Sequence, residues 1–357
     1  MNDATGAMGA NGTARPPTGG PPAEPRPGFA PERLARLAVR AVADLKLDLT
    51  GRTVLTEAAT GAYAVTPVLA SLAGARVVAL TRDTKYGTAE QVRHLTGLVG
   101  LFAGTRQPID IVTELTPRHI AAADVVTNSG HLRPIDAEFA AHLKPSAVVP
   151  LMFEAWEIGL GREDVDLAAL RARGIAHAGT NEHHPGIGVF EHHRAMVVRL
   201  LSDCGIAVYG ANCVVLCDNP FEPEIVDGLV RAGAQVHGAD SLDLVNTPED
   251  VDVVVVALRP GDRPVIGAAE AARIAARWPG AAVVQVWGDL DREALTASGV
   301  PFWPPVGPAP GHMAILPSAV GPEPIVRLQA GGLKVAQILL TRPEFRSDED
   351  KEYVDDL

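Results

Sequence analysis

"TVLTEAATGAYAVTPVLASLAGARVVALT", residues 53–81, holds two short β-branched runs separated by an apolar stretch with helical spacing. The first run, TVLTEAA (53–59), and the last, RVVALT (76–81), have the length and composition of buried strands. AVTPVLASLAG (64–74) between them reads as a helix packed on both. A strand, a crossover helix and a second strand form a parallel βαβ unit, because parallel neighbours need a crossover rather than a tight turn.

The same rhythm continues in both directions. Further strands are expected at 109–114, 124–129, 147–152 and 175–180, which makes the first domain doubly wound. An amphipathic helix follows in GVFEHHRAMVVRLLSDCG (188–205). The pattern then restarts with strands at 212–218, 234–240, 250–259, 281–288 and 299–304 and a helix through EIVDGLVRAG (224–233). The expected fold class is α/β, with two Rossmann-like or flavodoxin-like doubly wound parallel-sheet domains and a cleft between them. The expected division is a disordered Gly/Pro/Ala tail over 1–29, a first α/β domain over 30–190 and a second Rossmann-like domain over 191–320. A crossover helix over 321–342 and an acidic, frayed tail over 343–357 complete it. The Gly331-Gly332 pair argues against one continuous rod in the crossover helix.

Composition narrows the function. The chain has 357 residues, enough for two domains, and 47% hydrophobic residues, as a well-packed globular protein has. A net charge of -12 disfavours a nucleic-acid partner. No apolar run reaches the roughly 18 residues of a membrane span. The three cysteines, 204, 213 and 217, make no disulfide framework, and C-x-x-x-C matches no common zinc spacing, so Cys213 and Cys217 are read as small core residues. A cytoplasmic location and a small-molecule substrate are the expectation.

Ligands of open parallel sheets bind beyond the carboxyl ends of the strands, so polar residues at those ends are the candidates. NSGHLRP supplies Asn128, Ser129, His131 and Arg133; MFEAWE supplies Glu154 and Trp156; TNEHH supplies Glu182 and His183. The first turn, TEAATGAYAVTP (56–67), carries Glu57 and Thr60-Gly61 and holds either an anion or nucleotide or simply a strand-to-helix connection. With VVALTRD following, it also looks like the cofactor turn of S-adenosylmethionine methyltransferases, with Asp83 placed for a ribose. Against that likeness, the strand at 175–180 is a parallel addition, where methyltransferases end in an antiparallel hairpin.

Several longer segments resemble the D-2-hydroxyacid dehydrogenases, the formate and glycerate dehydrogenase-like superfamily. DVDLAALRARGIAHAGTNEHHPGIGVFEHHRAMVVRLLSDCG (164–205) is similar to that family's hinge region, with Glu191 and His192 at the positions of its interdomain Glu-His. Residues 123–149 are similar to a first-domain segment, and 252–295 to the segment leading to the catalytic turn. The resemblance implies an oxidoreductase with NAD or NADP as cofactor, a hydroxy acid, keto acid or imine as substrate, and a homodimer. It places His312, after Pro310-Gly311, as the general acid-base group, with Glu182 and His131 as further catalytic candidates. Asn128, Ser129, Arg133, Glu154, Trp156 and His183 then contact the substrate. On the same alignment Asp218 and Asn219 occupy the dinucleotide turn, Asp240 the ribose position, and Trp287-Gly288 the place of the family's Arg-Gly.

The chain departs from the family where chemistry matters. Glycines let a backbone approach a pyrophosphate at a helix N-terminus, yet the turn reads CDNPFEPEIV (217–226), with Asp218, Glu222 and Glu224 bringing negative charge. Trp287 replaces the carboxylate-binding arginine. Two other readings therefore stand beside the redox one: a lyase, hydrolase or transferase on the same architecture, and a catalytically silent binding protein. TNEHHPGIGVFEHH (180–193) carries four histidines without H-E-x-x-H spacing, so no metal is expected. Adjacent helical residues point about 100° apart; His192 is expected inward and His193 toward solvent or a partner.

Overall fold

A computed structural model describes residues 26–160, 164–246 and 250–357. The tail expected over 1–29 therefore lies outside the described residues up to position 25, and Pro27–Phe29 form a 3-10 turn. Twelve strands are present among the described residues: β1 (Thr53–Glu57), β2 (Arg76–Leu80), β3 (Ile109–Val112), β4 (Val125–Val126), β5 (Val148–Pro150), β6 (Ala176–Thr180), β7 (Asn212–Leu216), β8 (Gln235–Ala239), β9 (Val253–Ala257), β10 (Ala282–Trp287), β11 (Phe302–Trp303) and β12 (Val354–Asp355). The first eleven fall within the runs read from the sequence.

They form two sheets. One has seven strands in the order β12-β6-β5-β4-β1-β2-β3, and the other has five in the order β11-β10-β9-β7-β8. Every pairing is parallel except that of β12, which lies antiparallel on β6 with Val354 opposite Thr180 and Asp355 opposite Gly179. The expected α/β class, two doubly wound parallel sheets, is the fold the chain has. Read from β3, the first sheet has the strand order of dinucleotide-binding folds, β3-β2-β1-β4-β5-β6; the second has the flavodoxin-like order.

Alternation along the strands fills both faces of each sheet. Val54, Val77, Val125 and Val148 face the layer built by helices Pro31–Asp44, Val65–Leu72 and Glu323–Leu340. Leu55, Leu80, Val126 and Val149 face the opposite layer. In the second sheet Cys213, Val215 and Cys217 point one way and Val214 and Leu216 the other. The two cysteines are core residues, as read, and burial pushes both thiols up to about 12.

Two expectations change. Helix Glu323–Leu340 runs unbroken through Gly331 and Gly332. A Cβ on Gly331 would sit 2.8 Å from Ile187, and one on Gly332 would sit 2.8 Å from Met152, so the glycines serve close packing rather than a break. The acidic segment after residue 343 is docked, not frayed. Tyr353 is buried beside His184, Asp350 pairs with Lys334, and the Asp355 carboxylate accepts from the Ala155 amide at 2.5 Å.

Candidate functional site

The first sheet reverses its winding between β1 and β4, and the groups gathered at that switch point come from three strand ends. Glu57, the last residue of β1, is buried, and its carboxylate accepts a hydrogen bond from the His131 amide at 2.9 Å. Gly130 closes over it: a Cβ there would lie 2.6 Å from Glu57 Oε2. Burial lowers the His131 imidazole, Glu57 raises it and Arg82 lowers it again. Burial and then Glu57 hold the Tyr63 phenol above its ordinary range, against a lowering contribution from Arg133. Glu57, Tyr63, Arg82, His131 and Arg133 thus share one electrostatic neighbourhood.

The turn above β1 is built of small residues. Ala58, Ala59, Thr60, Gly61 and Ala62 lead through a 3-10 turn into helix Val65–Leu72. Gly61 has φ +63°, and nothing lies within 4 Å of where its Cβ would be. No acidic side chain occupies the first turn of that helix.

Asn128 and Ser129 lie beneath this edge rather than on it. Asn128 is fully buried, with Oδ1 accepting from the Met152 amide at 2.9 Å and its carbonyl accepting from Arg133 Nε at 2.6 Å; Nδ2 has no partner. Ser129 donates to Thr127 Oγ1 at 2.9 Å, and Thr127 meets Thr56 at 2.8 Å. Arg133 also pairs with Asp164 at 3.2 Å.

The corresponding turn of the second sheet is closed. Asp218 Oδ1 accepts from the Arg259 amide at 2.8 Å, and Arg259 Nη1 donates to the Asp218 carbonyl at 2.7 Å. Asn219 Nδ2 donates to the Ala257 carbonyl at 2.5 Å, and Oδ1 caps the Phe221 amide at 3.1 Å. Glu222 and Glu224 fill the first turn of the next helix. Asp240, at the end of β8, is exposed. Two carboxylates at a helix N-terminus take the place where a pyrophosphate would need donors. The residues around β7 do not fit one.

Between the sheets lies an aromatic junction. Trp156, after β5, meets Phe221 and Trp287 edge-on at 5.8 and 6.1 Å, and Arg259 stands 6.0 Å from its ring. The carboxyl ends of β5, β7 and β10 therefore face one another. Glu154 is buried: it accepts from Trp156 Nε1 at 2.8 Å and from the Glu182 amide at 2.9 Å, with His183 Nε2 at 3.8 Å. His312 is exposed beside Gly311, whose carbonyl accepts from Trp287 Nε1 at 2.9 Å and whose amide donates to Asp289 at 3.2 Å. Gly288 is buried, with φ +84° and the Leu258 carbonyl 2.8 Å from where a Cβ would stand. The junction thus brings Glu154, Trp156, Glu182, His183 and Trp287 together with the loop bearing His312. His131 and Arg133 belong to the β1/β4 edge instead.

The histidine-rich stretch is an interdomain connection. His183 stacks on Phe190 at 3.6 Å and His184 on Tyr353 at 3.7 Å. His193, expected to point outward, is buried against Phe221 at 4.4 Å, with Nδ1 3.0 Å from the Phe190 carbonyl. The helix starts at His192, so Phe190, His193 and Val197 share its buried face, while His192 is half-buried near Glu323, Glu191 and Arg327. Burial brings His193 down to about 4. Among the described residues no group of three or more His, Cys, Asp or Glu is arranged to hold a metal ion.

No protein-family model matches the chain, and no curated protein matches its sequence. Solved structures do. One of the two kinds of dipicolinate synthase chain, from Bacillus halodurans, is similar with TM-score 0.52 and 15% identity, covering 83% of this chain and 100% of that one. Its counterpart from Bacillus subtilis follows with TM-score 0.50, 10% identity and coverage of 80% and 95%. The likeness is one of fold. An NAD-dependent formate dehydrogenase from Staphylococcus aureus in complex with NAD aligns over 73% of this chain and 94% of its own, with TM-score 0.46 and 14% identity. The structural neighbours are of the dehydrogenase type that the sequence resembles. Among the described residues no helix is long and apolar enough to cross a membrane.

Tyr63, Arg82 and the buried role of Glu57 were not singled out from the sequence as binding groups. The signal was present in the register: β1 ends on an acid, β2 on Thr81-Arg82, and the strands are neighbours.

Proposed function

We propose that the chain is an NAD(P)-dependent oxidoreductase acting on a small polar substrate, a hydroxy acid, keto acid or imine, where the carboxyl ends of the two sheets meet. The observation that carries this reading is the first sheet: a dinucleotide strand order with a turn of small residues around Gly61 at its switch point. In contrast to the turn after β7, it offers neither acids nor bulky side chains to a pyrophosphate. The coenzyme accordingly docks at Ala58–Ala62. When bound, its nicotinamide supplies or accepts hydride.

The protein's own groups do the rest. His312, exposed on an anchored loop, is the general acid-base candidate because imidazole titrates near neutral pH. Glu182 and His183, held by Glu154, orient the substrate beside Trp156; Arg133 and His131 face it from the β1/β4 edge. Asn128 and Ser129 position that edge from below, and Trp287-Gly288 and Asp218-Asn219 form the opposite wall. A homodimeric, cytoplasmic enzyme is part of the same proposal.

A second reading has its own support. The Asp218–Arg259 closure and the acids Glu222 and Glu224 leave the second sheet without a nucleotide site, as suits a non-redox enzyme or a silent binding protein. Native mass spectrometry and calorimetric titration with NAD(H), NADP(H) and S-adenosylmethionine separate the readings. Saturable dinucleotide binding is expected. Binding of S-adenosylmethionine alone makes the chain a transferase candidate, and no binding at millimolar concentration overturns the hydride reading.

A further inference from the structure

Resting on the coenzyme reading above, we infer that the site prefers a nucleotide bearing a 2′-phosphate on its adenosine ribose, the NADP form, held by Arg82 and Lys85 with the adenine against Tyr86. A nucleotide docked on the turn after β1 places its adenosine ribose at the carboxyl end of the neighbouring strand, β2. The segment there is Thr81-Arg82-Asp83-Thr84-Lys85-Tyr86-Gly87. Thr84 and Gly87 exchange backbone hydrogen bonds of 2.9 and 3.3 Å, making a tight turn with Lys85 and Tyr86 at its tip. Gly87 presses on the first turn itself, since a Cβ there would lie 2.8 Å from Thr60 Cγ2. The two corners therefore form one continuous wall.

The charges at this wall select the ligand. An acid that would hold a free 2′-hydroxyl is present as Asp83, but its Oδ1 is spent capping the Ala89 amide at 2.7 Å. Arg82 and Lys85 are exposed, and among the described residues neither enters an ion pair. In a chain of net charge -12, two uncommitted cations three residues apart are a local reversal of sign. Tyr86 is 73% exposed, with Lys85 Nζ 5.0 Å from its ring centroid, and so offers a flat apolar face beside the cations. A phosphate dianion takes charge-assisted hydrogen bonds from both cations, whereas a ribose hydroxyl leaves them unused.

The test is isothermal titration of the full chain with NADP+, NAD+, 2′,5′-ADP and 5′-AMP, repeated on an Arg82→Ala/Lys85→Ala variant whose melting curve is checked against the parent. NADP+ is expected to bind about tenfold or more tighter than NAD+, and 2′,5′-ADP tighter than 5′-AMP by a similar factor, as loss of one or two charged hydrogen bonds implies. The variant is expected to lose that difference and to keep its NAD+ affinity within about twofold. NAD+ binding as tight as NADP+ in the parent overturns the 2′-phosphate inference and leaves the coenzyme reading standing. Parent-like NADP+ affinity in the folded variant removes Arg82 and Lys85 from recognition. Failure of both dinucleotides to bind overturns the inference together with the reading on which it rests.

Discussion

The backbones of Asp218 and Arg259 are tied to each other's side chains, amide to carboxylate at 2.8 Å and guanidinium to carbonyl at 2.7 Å, across the ends of β7 and β9. The bonds span the switch point of the second sheet, where a ligand would otherwise enter. Asp218→Ala releases one exposed bond, and is expected to lower stability by about 1 kcal/mol. Coenzyme affinity, measured by calorimetry, should stay within about twofold of the parent. A large loss of affinity would return the coenzyme to the second sheet.

Gly61→Val is expected to abolish dinucleotide binding. Its φ of +63° is strained for a β-branched residue, at roughly 1–2 kcal/mol, and the isopropyl group fills the space above the turn. Asp240→Ala on the opposite sheet should leave binding unchanged. Circular dichroism establishes that the valine variant is folded; retained affinity in it would exclude the β1 turn.

His312→Gln keeps a polar side chain of similar reach and removes the titrating group. Turnover should fall by about 100-fold or more, with coenzyme dissociation constants within a few-fold. Steady-state kinetics alongside titration reads both. Unchanged turnover would take His312 out of the mechanism.

Acid should destabilise the fold through its buried histidines. His193 is down to about 4 from an ordinary 6.5, and burial also lowers His131, His184 and His192. Because these folded-state values lie below the unfolded one, protons bind the unfolded chain first, so stability is complete above about pH 6.5 and falls toward pH 4. His193 alone accounts for about 3 kcal/mol over that interval. Denaturant melts from pH 7.5 to 4.5 should show the decline, and His193→Gln should flatten it; an unchanged slope in the variant would contradict the assignment.

Strands were legible where hydrophobic runs were long enough to be buried on both faces, as VVVV in β9 and VVQV in β10 are. β12 was not, because a two-residue pairing leaves almost no pattern; Tyr353 and Val354 stand among acids, and only their contact with β6 and His184 orders them. The orientation of His193 was missed because it depends on where the helix begins, and Phe190 and Phe221 settle that only in three dimensions. The binding edge shows the same division. His131, Glu154 and Glu182 were visible at strand ends, but that β1 and β2 bring Glu57, Thr60 and Arg82 together follows from strand order, which local sequence does not encode.

Strand order also governs how the two bodies can move. The chain leaves the first sheet at Phe190–His192 and returns through the turn Pro317–Ala319 to helix Glu323–Leu340, and the outgoing helix touches that returning turn. Two connectors running side by side act as a two-ply ribbon, stiff against torsion and compliant in a single bending direction. Access to the aromatic junction is thus a matter of opening along one coordinate, with the register of Trp156 against Phe221 and Trp287 recovered each time the ribbon straightens.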